Sequence, residues 1–320
     1  MKMIKKSLLD LKKWEKFLLI FTLAFTLLYF IFFLTFVNSK SNEWILILIA
    51  TITIDFGIVG EIFSEKRNIH NYLVGGIHVL FYSLLAFNAK YYSSFALNFF
   101  FFLPMQFIGF YFWRKNVDSE QKYENVKTFK RTSLIFFLFL TILFYFVFSF
   151  LFKSKTDDPL PFVESAGTWL SIVAMFLMIY GFWEQWILWI IVNLITIGMW
   201  AYSFSSSIGT YDASFYFSFE LIYMWIIYLI ISIVGLTNWR KKYKSEKVFK
   251  VLKNKNMINI SQVSLSKKFN VQNYKYYYSK DFLTYNFENI KINFFDLNYL
   301  IPKNILKDIN LENKNYFLYN

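Results

Sequence analysis

The sequence predicts an all-α membrane protein with eight transmembrane helices, a peripheral first helix followed by a 3+1+3 core of parallel repeats. Three observations predict it. Hydrophobic residues make up 57% of the 320-residue chain and charged residues 17%, a balance far from that of soluble domains. Eight apolar runs are long enough to cross about 30 Å of hydrocarbon at roughly 1.5 Å per residue. Basic residues fall overwhelmingly on one side of the topology those runs create.

The runs lie at 17–37, 44–63, 72–88, 93–113, 133–152, 166–182, 184–204 and 214–238. The first is long, lacks a small-residue cleavage site and precedes seven more, so it reads as a retained helix and not a signal peptide. It stands outside the repeat and is expected at the periphery. Runs two to four make a first bundle, 44–113, and run five, 133–152, is a linker helix. Runs six and seven almost touch and are divided at Gly181 to Gln185, because one apolar helix of their joint length would overrun the bilayer. With run eight they make a second bundle, 166–241. The chain thus divides into an N-terminal segment with the extra helix (1–43), a core (44–241) and a C-terminal tail (242–320).

With the N-terminus inside, 30 of the 34 basic residues are cytoplasmic, and only Lys40, Lys90, Lys153 and Lys155 face outward. Leaving out the tail, where the rule weakens, the ratio is still 14 to 4. Both termini are expected in the cytoplasm. The net charge of +13 then follows from topology. The basic residues flank spans and do not line one folded face, so no nucleic-acid partner is expected. The tail is rich in Lys, Asn, Tyr, Phe and Ile, and its alternation at Lys291 to Phe295 suits short strands in a small appendage.

An internal repeat supports the two bundles. Gly109-Phe110-Tyr111-Phe112-Trp113-Arg114-Lys115 ends run four, and Gly235-Leu236-Thr237-Asn238-Trp239-Arg240-Lys241 ends run eight. Both read G-x-x-x-W-R-K. Tyr82-Ser83 in run three mirrors Tyr202-Ser203 in run seven. An even number of spans separates the copies, so they share one orientation, a plan known among transporters. Interfacial decoration by Trp and Arg-Lys is the plainer reading of either copy alone. Gly109, Trp113, Gly235, Trp239, Tyr82 and Tyr202 are therefore expected to pack helices or gate a path.

Soluble-enzyme chemistry has no foothold. Cysteine is absent, the histidines are His70 and His78, and there is no HExxH, GxxxxGK[ST], GxGxxG or GxSxG. No catalytic residue, metal site or cofactor is expected. Of the acids within the runs, Glu61 and Glu184 fall near cytoplasmic edges and are expected to be solvated. Asp55 and Glu220 lie deeper, where pairing with a tyrosine, a histidine or a helix end competes with a proton-relay role. His78 is expected to hydrogen-bond in helix packing.

The stretch WEQWILWIIVN at 183–193 carries the functional signal. On one helix, Trp186, Trp189, Asn193, Thr196 and Trp200 recur at three- and four-residue steps and share a face. Asn98, Phe102, Gln106, Gly109 and Trp113 make a second stripe on run four. Amides in hydrocarbon must face a partner or a cavity, so Asn98, Gln106 and Asn193 are expected to point inward. Helix bridging by the amides and an interfacial belt of tryptophans is the alternative; helix bridging suits Asn98 taken alone, and belt or turn roles suit Trp183 and Gln185. Rings and amides on one face suit a ligand with a flat cationic ring and several hydroxyls, the ring faces attracting the cation and the amides bonding the hydroxyls. Trp186, Trp189, Asn193, Gln106, Thr196 and Asn98 are the candidate substrate contacts.

E-Q-W-I-L-W-I-I-V-N at 184–193, L-P-M-Q-F-I-G-F-Y-F-W at 103–113 and the 3+1+3 plan resemble the PnuC family of bacterial nicotinamide riboside transporters over about residues 44–241. The resemblance implies a SWEET-like fold and facilitated, uncoupled vitamin uptake feeding NAD biosynthesis. It also implies a cytoplasmic riboside kinase that traps the cargo, and it carries substrate contacts onto Trp186, Trp189, Asn193 and Gln106. Gly109 and Trp113 match the family's aromatic helix ending in part, with Phe110 in place of a tryptophan, and the second copy keeps Gly235 and Trp239. Membrane lipid is the expected surrounding, and a homo-oligomer is compatible with the sequence. Two alternatives stay open: another nucleoside, vitamin or sugar on the same fold, and a membrane enzyme or non-transporting sensor. An enzyme would need acid, base and nucleophile around one cavity.

Overall fold

The computed structural model describes residues 11–37, 43–117, 126–129, 131–210 and 212–254, with 131–140 and 245–254 by backbone alone. The expected strands near 291–295 lie outside the described residues. The chain divides into two units, residues 1–237 and 238–320, and the site lies wholly in the first. Among the described residues the architecture is all-helical: α1 Lys13–Phe36, α2 Glu43–Glu65, α3 Asn71–Asn88, α4 Tyr92–Arg114, α5 Arg131–Lys155, α6 Pro161–Ile179, α7 Gln185–Ser206 and α8 Ala213–Asn254. Six of these (α1, α2, α4, α6, α7 and the Ala213–Lys244 part of α8) are long and apolar enough to cross a membrane. Run eight therefore continues as helix well past its expected end at 238.

Helix ends are set by local chemistry. Pro161 opens α6, where its missing N–H is no loss. The turn after α2 and the turn after α6 close with the same hydrogen bonds. Asn68 N donates to Phe63 O (2.8 Å) and Arg67 N to Ser64 O (2.9 Å), while Phe182 N donates to Leu177 O (2.8 Å) and Gly181 N to Met178 O (3.0 Å). Each pattern needs one left-handed residue, Arg67 at φ 59° in one turn and Gly181 at φ 78° in the other, and glycine takes it at no steric cost. The division of runs six and seven at Gly181 to Gln185 matches this turn.

Polar packing fastens α1 to α2 and α8. Its Thr26 hydroxyl donates to Asp55 (3.0 Å), Thr22 meets the Tyr223 hydroxyl (3.0 Å) and Tyr29 donates to Tyr216 O (3.1 Å). Glu15 at its start pairs with Lys66 after α2 (3.0 Å). Its outward face of Phe17, Ile20, Leu27, Leu28 and Phe36 is exposed, as a lipid-facing helix requires.

Between α2 and α8 lies a core of Ile47, Ala50, Ile54, Ile58, Phe217, Leu221, Met224 and Ile231, all buried. In lipid, burying an aliphatic chain against another gains little hydrophobic energy, so close packing and hydrogen bonds hold such interfaces. Gly57 illustrates this, because a Cβ there would come within 2.6 Å of His78 Nδ1. Only hydrogen lets α2 approach the rings of α3 and α8 so closely.

A cavity between six helices

A cavity of about 140 Å³ lies inside the first unit. Six helices line it: α2 through Gly57, Gly60, Glu61 and Ser64, α3 through Asn71, Gly75, His78, Val79 and Tyr82, and α4 through Ser94, Leu97, Asn98, Phe102 and Gln106. From the other side come Glu164, Gly167, Thr168, Ser171, Met175 and Met178 of α6, Trp189, Val192, Asn193, Thr196 and Met199 of α7, and Trp225 and Tyr228 of α8. No described residue of α1 or α5 lines it.

The α7 face is as the periodicity predicts in its middle and different at both ends. Trp189, Asn193 and Thr196 line the cavity. Trp189 stands 6.2 Å, centroid to centroid, from Phe102 across the space. The buried Asn193 amide donates to Ser232 Oγ (2.9 Å), and Thr196 donates to Val192 O (2.9 Å), so both are oriented from within the protein. Trp186 lies outside the lining, fully buried, with its ring against Gly235, where a Cβ would come within 2.6 Å of Cε2. Trp200 is also fully buried and donates to the Tyr82 hydroxyl (3.0 Å). A helical stripe spans about 100°, and its two ends turn toward neighbouring helices while its centre meets the void.

On α4 the lining residues Asn98, Phe102 and Gln106 sit in or just beyond a π-helical segment, Leu97–Phe102. Pro104 cannot donate to the carbonyl one turn earlier and its ring crowds it, and the wider turn absorbs that conflict. Asn98 donates to Ser94 O (2.8 Å) and Gln106 to Phe102 O (3.3 Å). Gly109 and Trp113 continue the stripe past the cavity and pack against Tyr72, Trp113 donating to Ile179 O at 3.1 Å. Trp239, in the second unit, is fully buried. Tyr82 and Tyr202 do not share an environment: Tyr82 is buried at the cavity, whereas Tyr202 is 44% exposed. The turn geometry explains this, because it pairs Ser64 with Met178 and Tyr72 with Trp186, a spacing that does not bring Tyr82 into register with Tyr202.

Several acids depart from expectation. Glu61, expected to be solvated, lines the cavity. Glu184 accepts from Phe129 N (2.9 Å) and from the Thr128 hydroxyl, and so ties the 126–129 segment to the α6–α7 turn. Lys127 strengthens that tie, donating to Gly181 O (2.8 Å) and accepting from Trp183 N (3.2 Å). Asp55 and Glu220 are off the cavity; Glu220 is fully buried and Asp55 accepts from Thr26. His78 bonds in packing as expected, Nδ1 to Thr53 O (3.0 Å) and Nε2 to the Tyr228 hydroxyl (3.4 Å), and it also lines the cavity.

Sequence reasoning missed Glu61, His78, Glu164, Trp225 and Tyr228. Two of these had a readable signal: Leu221, Trp225, Tyr228 and Ser232 recur at helical spacing on α8. Glu164 had none, because its role depends on α4. It accepts from Ser93 N (3.2 Å) and Ser94 N (2.6 Å), capping the first turn of α4, where an anion is favoured. The completed lining offers ring faces, amides and hydroxyls, two carboxylates, and no lysine or arginine.

Comparison with known proteins gives the same direction. Residues 47–241 match the family profile described as nicotinamide mononucleotide transporter. A nicotinamide riboside transporter PnuC of Neisseria mucosa is 30% identical over 199 residues, covering 61% of this chain and 73% of that protein. One from Haemophilus influenzae is 27% identical over 195 residues, covering 59% and 77%. The crystal structure of a vitamin B3 transporter PnuC superposes with a TM-score of 0.60 at 28% identity, covering 73% of this chain and 94% of that one. The match spans more than half of the chain and every residue that lines the cavity, and the chain belongs to this family of transporters, the PnuC family.

Proposed function

We propose that this multi-pass membrane protein carries nicotinamide riboside through the six-helix cavity. The observation that carries the reading is the lining: aromatic faces and hydrogen-bonding groups around a space with two carboxyl groups and no lysine or arginine. The riboside has a flat cationic pyridinium and a ribose. Trp189 and Phe102 suit the ring, and Asn98, Gln106, Asn193 and Thr196 suit the hydroxyls. A phosphorylated cargo would need cationic partners, which the lining lacks, so the riboside fits and the mononucleotide does not.

The same reading assigns α2–α4 and α6–α8 as the two halves of a 3+1+3 carrier, with α5 as linker and α1 as peripheral helix. The shared turn geometry after α2 and α6 supports that pairing. Rocking of the halves would give alternating access by facilitated diffusion, with Trp186 on Gly235 and Trp113 beside Tyr72 as the packing elements that turn with them. A cytoplasmic kinase would trap the product, both termini would face the cytoplasm, and the membrane would be the bacterial plasma membrane. Residues of all six helices of one chain line the cavity, and a homo-oligomer would be an assembly of such carriers.

Uptake of labelled riboside into liposomes tests this. Trp189→Ala and Asn193→Ala should each slow initial uptake about tenfold or more, the loss that corresponds to about 1.4 kcal/mol of binding. Uptake at the parent rate by both variants would refute the assigned site. Competition by unlabelled thiamine, other nucleosides and sugars distinguishes the cargo.

A further inference from the structure

Moving a fixed cation from water into a cavity between helices is costly unless an opposite charge or ring face compensates it. The lining holds two carboxylates, Glu61 and Glu164. Glu164 is 1% exposed and already accepts from two backbone N–H groups at the start of α4. Glu61 makes no hydrogen bond or ion pair with any described residue. It shares one face of α2 with Gly57, Gly60 and Ser64, at steps of three and four residues, and that whole face borders the void.

The carboxylates also sit toward opposite ends of the bundle. Glu61 is one turn before the α2–α3 turn, whereas Glu164 binds the first turn of α4, just after the α3–α4 turn. The 18 residues of α3 separate those turns, about 27 Å at the rise of an α-helix. His78, the remaining nitrogen base of the lining, has both ring nitrogens engaged, by Thr53 O and the Tyr228 hydroxyl. Of the two carboxyl groups in the lining, Glu61 is thus the one with no hydrogen-bond or ion-pair partner among the described residues.

We propose that Glu61 is the counter-ion for the cationic ring of the cargo and so sets the cavity's preference for a cationic over a neutral nucleoside. The inference rests on the reading of the cavity as the riboside site and adds the residue that selects charge. Trp189 and Phe102 attract the ring through its face, which also suits a neutral ring, whereas a carboxylate distinguishes the charge itself.

The test is isothermal titration of the purified protein with nicotinamide riboside and with its 1,4-dihydro form, a neutral molecule of nearly the same shape. The parent should bind the cation more tightly. Glu61→Gln, which keeps size and removes charge, should weaken cation binding about tenfold or more while changing dihydro binding less than about twofold, in line with a charge interaction of ordinary strength. Glu61→Asp, which keeps the charge on a shorter arm, should retain part of the preference. Equal weakening of both ligands by Glu61→Gln, or no weakening of the cation, would overturn the inference and leave the riboside reading standing. A parent that binds neither form would overturn that reading and this inference with it.

Discussion

At the scale of single residues, the cavity is built from side chains whose own hydrogen bonds fix them before any ligand arrives. Asn193 is held by Ser232 and Gln106 by Phe102 O. Such orientation lowers the entropy lost on binding. Glu164 does the same for a helix end, and its removal has a definite cost. Glu164→Ala would leave the Ser93 and Ser94 amides without their acceptor, which should lower stability by about 1–2 kcal/mol; thermal melting in detergent should show a reduced midpoint, and Glu164→Gln a smaller reduction. The residues legible in the sequence were those on a regular stripe: Trp189, Asn193, Thr196, Asn98 and Gln106 all line the void. Glu61 was illegible because distance from a span's end stands in for depth only when the following turn is solvated. Here Asn68, Ile69 and His70 of that turn are buried, so the turn is packed into the protein and the span's end does not mark the water boundary. Burial of His70 likewise holds its imidazole below the ordinary histidine range.

At the scale of elements, hydrophobic run length located the eight long helices of the described residues, six of them long and apolar enough to cross a membrane, because backbone groups in hydrocarbon must be satisfied within the segment. Ends were less legible. Run eight continues as helix to Asn254, since polar residues continue a helix in water as readily as apolar ones do in lipid. The π-helical segment of α4 follows from Pro104 in hindsight, yet a proline alone does not say whether a helix will kink, break or widen. Close approach gives the sharpest element-scale prediction. A Cβ at Gly235 would meet the Trp186 indole at 2.6 Å, and both partners are confined. Gly235→Ala should therefore destabilise by about 1–3 kcal/mol through overpacking. Gly198 in α7 meets nothing within 4 Å, so Gly198→Ala should leave the melting midpoint unchanged or raise it slightly. Equal midpoints for the two variants would show that Gly235 does not hold α7 and α8 together.

At the scale of the whole molecule, composition alone establishes a membrane protein, and the duplicated G-x-x-x-W-R-K endings point to a repeat. The structure adds a cavity to which α2–α4 and α6–α8 all contribute, and its lining has no lysine or arginine. That exclusion was not readable from a chain of net charge +13, because the net charge reports the flanks of the helices and the lining reports which side chains turn inward. The proposed function requires that this cavity recognise a flat cation bearing a sugar and reject its phosphorylated form. Ligand-induced thermal stabilisation of the purified protein tests the claim most directly, since a ligand that binds the folded state must raise its stability. Nicotinamide riboside at about 100 times its dissociation constant should stabilise by about 2.7 kcal/mol, and nicotinamide mononucleotide at the same concentration should leave the midpoint where it was. A riboside without effect, or a mononucleotide that stabilises as strongly, would contradict the account.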